Sequence, residues 1–326
     1  MPLVRREFLR LSSAAAIATV VPSLATAQAY PVRPARIIVG FGPGGAADIL
    51  ARLIAQRATE RLGQPFIVEN RPGAGTNIAA EAVAKAVPDG YTLLLINPAA
   101  ATNATLYEKL NFNFIRDIAP VASIASGPLA MLVNPSFPAK TVPEFIAYAK
   151  ANPGKINMAS AGAGSPPHVA GELFKMMTGV EMLHVPYRGG DSPALADLIG
   201  GQVQVYFGTL LSSIEHVRAG TLRALAVTTA MRSDALPDIP TVNEFVPGYE
   251  ATLWNGLGAP RGTPSGIIEK LNNEINAALA DSVIKSRIAE LGSNVLSGSP
   301  ADFGKLISEE TEKWAKVIRA ANIKLD

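Results

Sequence analysis

Short apolar runs alternate along the chain with longer segments in which apolar residues recur every three or four positions. The short runs are typical of buried β-strands, and the longer periodic segments are typical of helices that pack on one face. Strands are predicted at residues 36–39, 65–69, 91–96, 156–160, 182–185, 203–207 and 222–227. Helices are predicted at residues 49–62, 76–87, 142–151, 166–178, 192–199, 212–219, 264–279, 282–291 and 300–321. This alternation predicts an α/β fold with largely parallel sheets.

Two glycine-rich turns each connect a predicted strand to the start of a predicted helix. They contain Phe41, Gly42, Pro43, Gly44 and Gly45 in the first turn, and Ser160, Gly162, Gly164 and Ser165 in the second. A helix start presents unpaired backbone N–H groups and the positive end of the helix dipole, which together favour an anion. Open α/β sheets bind ligands beyond the carboxyl ends of their strands. Both turns are therefore predicted to face one cleft between two lobes.

Several polar and aromatic side chains lie near these strand ends, and each has two interpretations, one in ligand binding and one in structure. Asp48 lies in the first turn of its helix, where it either meets a ligand ammonium or is simply favoured by the dipole. Asn97 and Thr102 either donate hydrogen bonds into the cleft or cap the next helix. Phe207 either walls the pocket or belongs to the core, and Arg188 either clamps a carboxylate or is a solvated surface residue.

Motifs for catalysis or for a cofactor are weak. Ser160, Ser165 and His168 lack the G-x-S-x-G context of a seryl hydrolase, and a hydroxyl-rich loop at a helix start more simply binds an anion. Residues 40–45 satisfy G-x-G-x-x-G and Glu69 ends the next strand, so an exported dinucleotide oxidoreductase is an alternative. A proline in that turn removes an N–H that would cradle a pyrophosphate. The chain has no Cys and its His residues are scattered, so we expect no metal and no cofactor.

Residues 1–29 have the features of a bacterial export signal. A pair of arginines precedes a short apolar stretch, and the small residues around Ala27 and Ala29 fit a cleavage site. The arginine pair is typical of the twin-arginine type, whereas Val4 stands where that pattern has Ser or Thr, so Sec export is the alternative. The predicted location of the mature protein is the periplasm.

The charge of the mature chain limits its partners. The signal contains three Arg and one Glu, so 26 basic and 26 acidic residues are left after cleavage. A formally neutral chain without a Lys/Arg cluster argues against binding to nucleic acid or to an anionic membrane surface. A length of roughly 300 mature residues suggests two domains.

Motifs spread over the whole mature chain are similar to those of one family. They are Pro43-Gly44-Gly45-Ala46-Ala47-Asp48, Leu62-Gly63-Gln64-Pro65, Val68-Glu69-Asn70-Arg71-Pro72-Gly73-Ala74-Gly75, Pro88-Asp89-Gly90-Tyr91-Thr92-Leu93, His184-Val185-Pro186-Tyr187, Gly200-Gly201-Gln202-Val203, Leu222-Arg223-Ala224-Leu225-Ala226-Val227-Thr228 and Leu236-Pro237-Asp238-Ile239-Pro240-Thr241. In this combination and order the chain resembles the substrate-binding proteins of the tripartite tricarboxylate transporters, also called Bug receptors.

The resemblance implies a type II periplasmic binding fold, in which two α/β lobes joined by a hinge of crossing strands close around a ligand. We expect residues 30–128 and 252–326 to form lobe 1 and residues 129–251 to form lobe 2. The resemblance further implies a receptor, not an enzyme, that captures a small organic carboxylate and delivers it to a two-component membrane permease. We expect a monomer.

The resemblance also implies that one ligand carboxylate is held by the turns of both lobes, which in this chain are Phe41 to Asp48 and Ser160 to Ser165, with Gly189 to Asp191 as a further wall. The expected ligand-binding residues are Phe41, Gly42, Pro43, Gly44, Gly45, Asp48, Asn97, Thr102, Ser160, Gly162, Gly164, Ser165, His168, Gly189, Gly190, Asp191 and Phe207. Gly42 stands where a proline is usual and Arg188 replaces a common lysine, so the carboxylate is not identified. Dicarboxylates, tricarboxylates, amino acids and aromatic acids stay open, and Asp48 or Asp191 is able to pair with an ammonium. A receptor that presents its ligand to a signalling partner is a further alternative.

Overall fold

The computed structural model describes residues 30–107, 109–188, 190–320 and 322–323, so the predicted export signal and Gly189 lie outside the described residues. The strands within these ranges are β1 Ala35–Val39, β2 Phe66–Asn70, β3 Thr92–Ile96, β4 Ile118–Val133, β5 Asn157–Ser160, β6 Leu183–Pro186, β7 Val205–Thr209, β8 Arg223–Val227, β9 Thr252–Pro260 and β10 Asn294–Val295. The α-helices are α1 Ala46–Leu62, α2 Asn77–Ala84, α3 Pro98–Leu106, α4 Phe114–Asp117, α5 Val142–Ala151, α6 Pro166–Thr178, α7 Asp191–Ile199, α8 Leu210–Arg218, α9 Ser265–Ala280, α10 Ser282–Glu290 and α11 Pro300–Ala320. The predicted α/β fold is confirmed.

The strands pair in the order β2-β1-β3-β9-β4-β7-β5-β6, with β8 and β10 also paired to β4. Pairing is parallel between β1 and its neighbours β2 and β3, and between β5 and its neighbours β6 and β7. The two long strands β4 and β9 run antiparallel to their neighbours. Each set of parallel strands therefore carries its carboxyl ends at one edge, where the two glycine-rich turns begin.

Strand β4 changes partners at Pro128 and Leu129. Residues Ile118 to Pro128 pair with β9, whereas Leu129 to Val133 pair with β7 and β8. The chain returns at Ala251, whose N–H donates to the carbonyl of Thr228 at 2.9 Å. We propose that these two crossings, at 128/129 and 251/252, are the lobe boundaries.

Two main hydrophobic clusters lie on either side of the crossings. One contains Ile37, Leu50 and Leu257, and the other contains Phe145 and Phe174. Helix α11 reaches both parts of the molecule. Its Phe303 and Ile307 pack with residues of β3 and β9, whereas its Trp314 and Ile318 pack in the cluster of Phe145 and Phe174. The C-terminal helix therefore connects the two lobes by apolar packing.

The sequence around the cleft explains where its helices begin. Gly45 precedes α1 in an extended conformation and supplies no side-chain cap. Asn97 precedes α3, and its Oδ1 accepts the Ala99 N–H at 2.9 Å. Helix α6 begins with Pro166 and Pro167, whose fixed φ suits a first turn but which have no N–H to donate. None of the described helices is long and apolar enough to cross a membrane.

Candidate ligand-binding site

A cleft lies between the turn that follows β1 and the elements of the second lobe. Its lining residues are mostly small or apolar, with a few polar groups among them. They are Phe41, Gly45, Ala46, Ala47, Asn97, Ala161, Pro166, Pro167, Asp191, Thr209, Leu253 and Asn255. Phe41, Gly45, Asn97 and Asp191 were expected from the sequence. An apolar cleft with a few convergent polar groups is the usual form of a small-molecule site.

The carboxylate of Asp191 lies at the centre of the polar groups in the cleft. Its Oδ1 accepts a short hydrogen bond from the Tyr206 hydroxyl, and its Oδ2 accepts from Thr209 Oγ1 at 3.0 Å and from Ser212 Oγ at 3.2 Å. Oδ2 also accepts the backbone N–H of Ala46 at 3.3 Å, which belongs to the first turn of α1 in the opposite lobe. Burial and the nearby Asp191 carboxylate raise the pKa of Tyr206, so its phenol stays protonated and donates.

Asp48 lies behind the first turn and holds its shape. Its Oδ2 accepts the Gly44 N–H at 3.0 Å and Arg52 Nε at 2.9 Å, and its Oδ1 accepts Asn70 Nδ2 at 2.9 Å. Burial by itself raises the pKa of the Asp48 carboxyl, but these hydrogen bonds outweigh it and the net pKa is lowered. The carboxylate therefore positions Pro43 and Gly44 rather than lining the cleft.

Direct contacts join the two lobes and close the cleft. The Thr102 hydroxyl donates to the Gly164 carbonyl at 2.8 Å, and the Ser192 hydroxyl donates to the Pro43 carbonyl at 3.1 Å. Gly75 lies so close to the second lobe that an added Cβ would stand 2.8 Å from the Ala163 carbonyl oxygen. This is a closed arrangement, in which residues of both lobes bound the same cleft.

Ser160 and His168 hold the second turn from behind. Ser160 Oγ accepts the Gly162 N–H at 3.1 Å and lies 2.6 Å from Nε2 of His184. The His168 ring stacks on His184 with 3.8 Å between centroids, and its Nδ1 accepts the Gly164 N–H at 3.1 Å. Burial, together with the charges of His184 and Lys175, lowers the pKa of His168 to about 3. The imidazole is therefore neutral at physiological pH, which leaves Nδ1 free to accept.

Other expected site residues lie around the cleft or in the core. Gly42 faces Gly190 across the lobes, and Ser165 is the fully buried residue before α6. Phe207 is fully buried and packs on Phe174 with 5.4 Å between ring centroids. Among the described residues, no group of His, Asp and Glu side chains is arranged to hold a metal ion.

A family model described as a tripartite tricarboxylate transporter family receptor matches residues 50–323. The chain belongs to this family. Three solved structures share its two-lobe fold. The R. palustris protein Rpa4515, solved with adipate, is 39% identical with a TM-score of 0.89, covering 91% of this chain and 100% of that chain. The periplasmic binding protein BugD is 33% identical with a TM-score of 0.87, covering 91% and 100%. MatC from Rhodopseudomonas palustris, solved with malate, is 34% identical with a TM-score of 0.85, covering 89% and 100%.

Membership of this receptor family confirms the resemblance and the type II periplasmic binding fold. It makes the chain a substrate-binding protein and not an enzyme, so the oxidoreductase alternative is wrong. Glu69 is the residue that a dinucleotide fold would use for a ribose. Here Glu69 pairs with Arg71 at 2.7 Å and with Arg36 at 3.4 Å.

Sequence reasoning missed some of the residues that line the receptor's cleft. They are Pro166, Pro167, Thr209, Leu253 and Asn255, whereas Ala46, Ala47 and Ala161 lie within the two predicted turns but were not among the individually expected site residues. Asn255 carried a usable signal in the sequence, because it is the one polar residue in the run Leu253 to Pro260 of strand β9. The side chains of Ala46 and Ala47 carried no such signal, since the start of a helix binds a ligand through its backbone N–H groups.

Proposed function

We propose that the protein is a periplasmic receptor that captures a small organic carboxylate in the cleft between its lobes and delivers it to a tripartite tricarboxylate-type permease. The observation that carries the proposal is the cleft itself, bounded by the start of α1 in one lobe and by Asp191, Thr209 and the start of α6 in the other. Two structural relatives of the same family were solved with adipate and with malate, both of which are carboxylates.

The cleft offers groups that suit a short aliphatic acid. Asn97 and Asn255 supply amide hydrogen-bond donors without a full positive charge, which fits the neutral mature chain. Phe41 and Leu253 supply apolar surface for the carbon chain. These amide donors then orient the carboxylate, while the apolar wall limits the length and width of the acid.

Closure of the lobes gives the permease a surface to recognise. A ligand favours the closed form only as far as it binds that form more tightly than the open form. The hydrogen bonds of Thr102 and Ser192 across the cleft belong to the closed form. We propose that the closed, ligand-loaded monomer docks on the permease, and that the segment at residues 1–29 exports the protein and is cleaved near Ala27 or Ala29. The periplasmic location of BugD supports this placement.

Binding can be tested on the mature chain from residue 30, unfolded and refolded to remove any carried ligand. Calorimetry with succinate, adipate, malate, citrate, benzoate and amino acids should show saturable binding of at least one class. We expect Asn255→Ala to weaken that binding at least about tenfold, since a lost hydrogen bond to a charged group costs about 1.5–3 kcal/mol. Asn294→Ala is the matched control because Asn294 is exposed on β10.

Absence of binding across the panel would refute the carboxylate receptor. Delivery needs a separate test in cells. Uptake of the radiolabelled ligand should require both this protein and the permease, and uptake that persists without this protein would contradict delivery.

A further inference from the structure

The buried carboxylate of Asp191 has no cation opposite it. It is 7% exposed, and no Lys or Arg is among the described residues that line the cleft. None of the ion pairs among the described residues includes Asp191, and the nearby Arg188 is exposed. Its hydrogen-bond partners are the neutral donors of Tyr206, Thr209, Ser212 and Ala46. A buried negative charge held by neutral groups alone favours a cation in contact with it.

Asp191 also occupies a position that would otherwise attract an anion. Its Oδ2 accepts the N–H of Ala46, the first residue of α1, and an added Cβ on Gly45 would stand 3.3 Å from the same oxygen. A ligand carboxylate placed there would lie next to the like charge of a buried side chain. The start of α6 offers no alternative in its first two positions, because Pro166 and Pro167 have no N–H. A second carboxylate on the ligand is therefore disfavoured at this end of the cleft.

We propose that Asp191 makes the cleft selective for carboxylic acids that also carry a protonated amine. The ammonium of the ligand pairs with Asp191, and its carboxylate is left to Asn97 and Asn255. This deepens the proposed function and rests on it, since it assumes that the cleft binds a small acid. Tyr206, Thr209 and Ser212 then act as positioning residues that hold the Asp191 carboxylate toward the ligand.

The test uses pairs of acids with one carbon skeleton, with and without an amine: aspartate and succinate, glutamate and glutarate, and 5-aminovalerate and valerate. Calorimetry on the refolded mature protein should give the aminated member of each pair at least about tenfold higher affinity, the worth of one charge-assisted hydrogen bond. Asp191→Asn should remove this preference. Asp197→Asn on the same helix α7 removes an equal charge outside the lining of the cleft and should keep it.

Equal or tighter binding of the unaminated acids by the wild type would overturn the proposal, and so would an unchanged affinity ratio in Asp191→Asn. The wild-type ratios decide the matter even if that variant does not fold, which a thermal unfolding scan would show. Failure of the proposed function looks different, because neither member of any pair would then bind.

Discussion

The Thr228 hydroxyl provides a sharp test of how the two lobes are joined. Thr228 is fully buried and directly follows β8, where the chain leaves for the second crossing. Its Oγ1 accepts the N–H of Leu129 at 2.9 Å and donates to the carbonyl of Ala251 at 2.6 Å. One hydroxyl therefore connects the point where β4 changes partners to the point where the chain returns.

Thr228→Val keeps the shape of the side chain and removes both hydrogen bonds. A buried N–H without a partner costs about 1–3 kcal/mol, and the lost bond to the carbonyl costs about 1 kcal/mol more. We therefore expect Thr228→Val to lower the free energy of unfolding by about 2–4 kcal/mol. Thr228→Ser is the matched control, because it keeps the hydroxyl and loses one methyl, worth about 0.8 kcal/mol.

Urea unfolding of the mature protein, followed by circular dichroism, measures the difference. With a slope of about 3 kcal/mol/M, Thr228→Val should move the midpoint down by roughly 1 M and Thr228→Ser by about a third as much. Parallel slopes for the three proteins are required for this comparison. A valine variant as stable as the serine variant would refute the argument that the hydroxyl pairs buried backbone groups at the crossing.

Three further predictions concern closure and pH. Gly75→Ala should weaken ligand binding at least about tenfold, because its Cβ meets the Ala163 carbonyl of the other lobe and its φ of 59° disfavours alanine. Small-angle scattering with saturating ligand should then show a more open molecule, and unchanged closure would contradict this. Thr102→Val should weaken binding about threefold to tenfold by calorimetry, since it loses a hydrogen bond worth about 0.5–1.5 kcal/mol in the closed form; equal affinity would count against that contact. The lowered pKa of Asp48 means that its carboxylate stabilises the folded state fully above its unfolded pKa of about 3.9 and loses this effect as the pH falls through the folded pKa. Asp48→Asn should therefore flatten the loss of stability in urea below about pH 4, and an identical acid profile would be the contrary result.

Part of the candidate site could be predicted from local sequence. Phe41 and Gly45 belong to a turn between a β-branched run and an apolar periodic segment, and both line the cleft. Asn97 caps α3 and also lines the cleft, so the structural and the binding interpretation of this residue are compatible. Turn chemistry and helix starts are local properties, which is why sequence indicates them.

Whether a given side chain points toward the cleft could not be predicted from the sequence. Asp48 and Asp191 both lie in the first turn of a helix, yet Asp48 binds the turn behind the cleft and Asp191 lines the cleft. From the sequence, Phe207 was expected either to line the pocket or to belong to the core. Its packing against Phe174 places it in the core. These outcomes depend on which residues of distant segments surround each side chain.

The sequence by itself determined the α/β alternation, the positions of the glycine-rich turns and the family. Hydrophobic periodicity, turn residues and the order of motifs are all local or linear properties of the chain. Only tertiary structure determined that the long strand β4 forms. Local propensity disfavours a strand there, because Pro120, Gly127 and Pro128 lie within it. Its register with β9 shifts after Pro120 and again after Ser123, so irregular pairing accommodates residues that a regular strand would reject. Tertiary structure also brought Asp191 to Ala46, 145 positions away in sequence, and no local pattern encodes such a contact across a cleft.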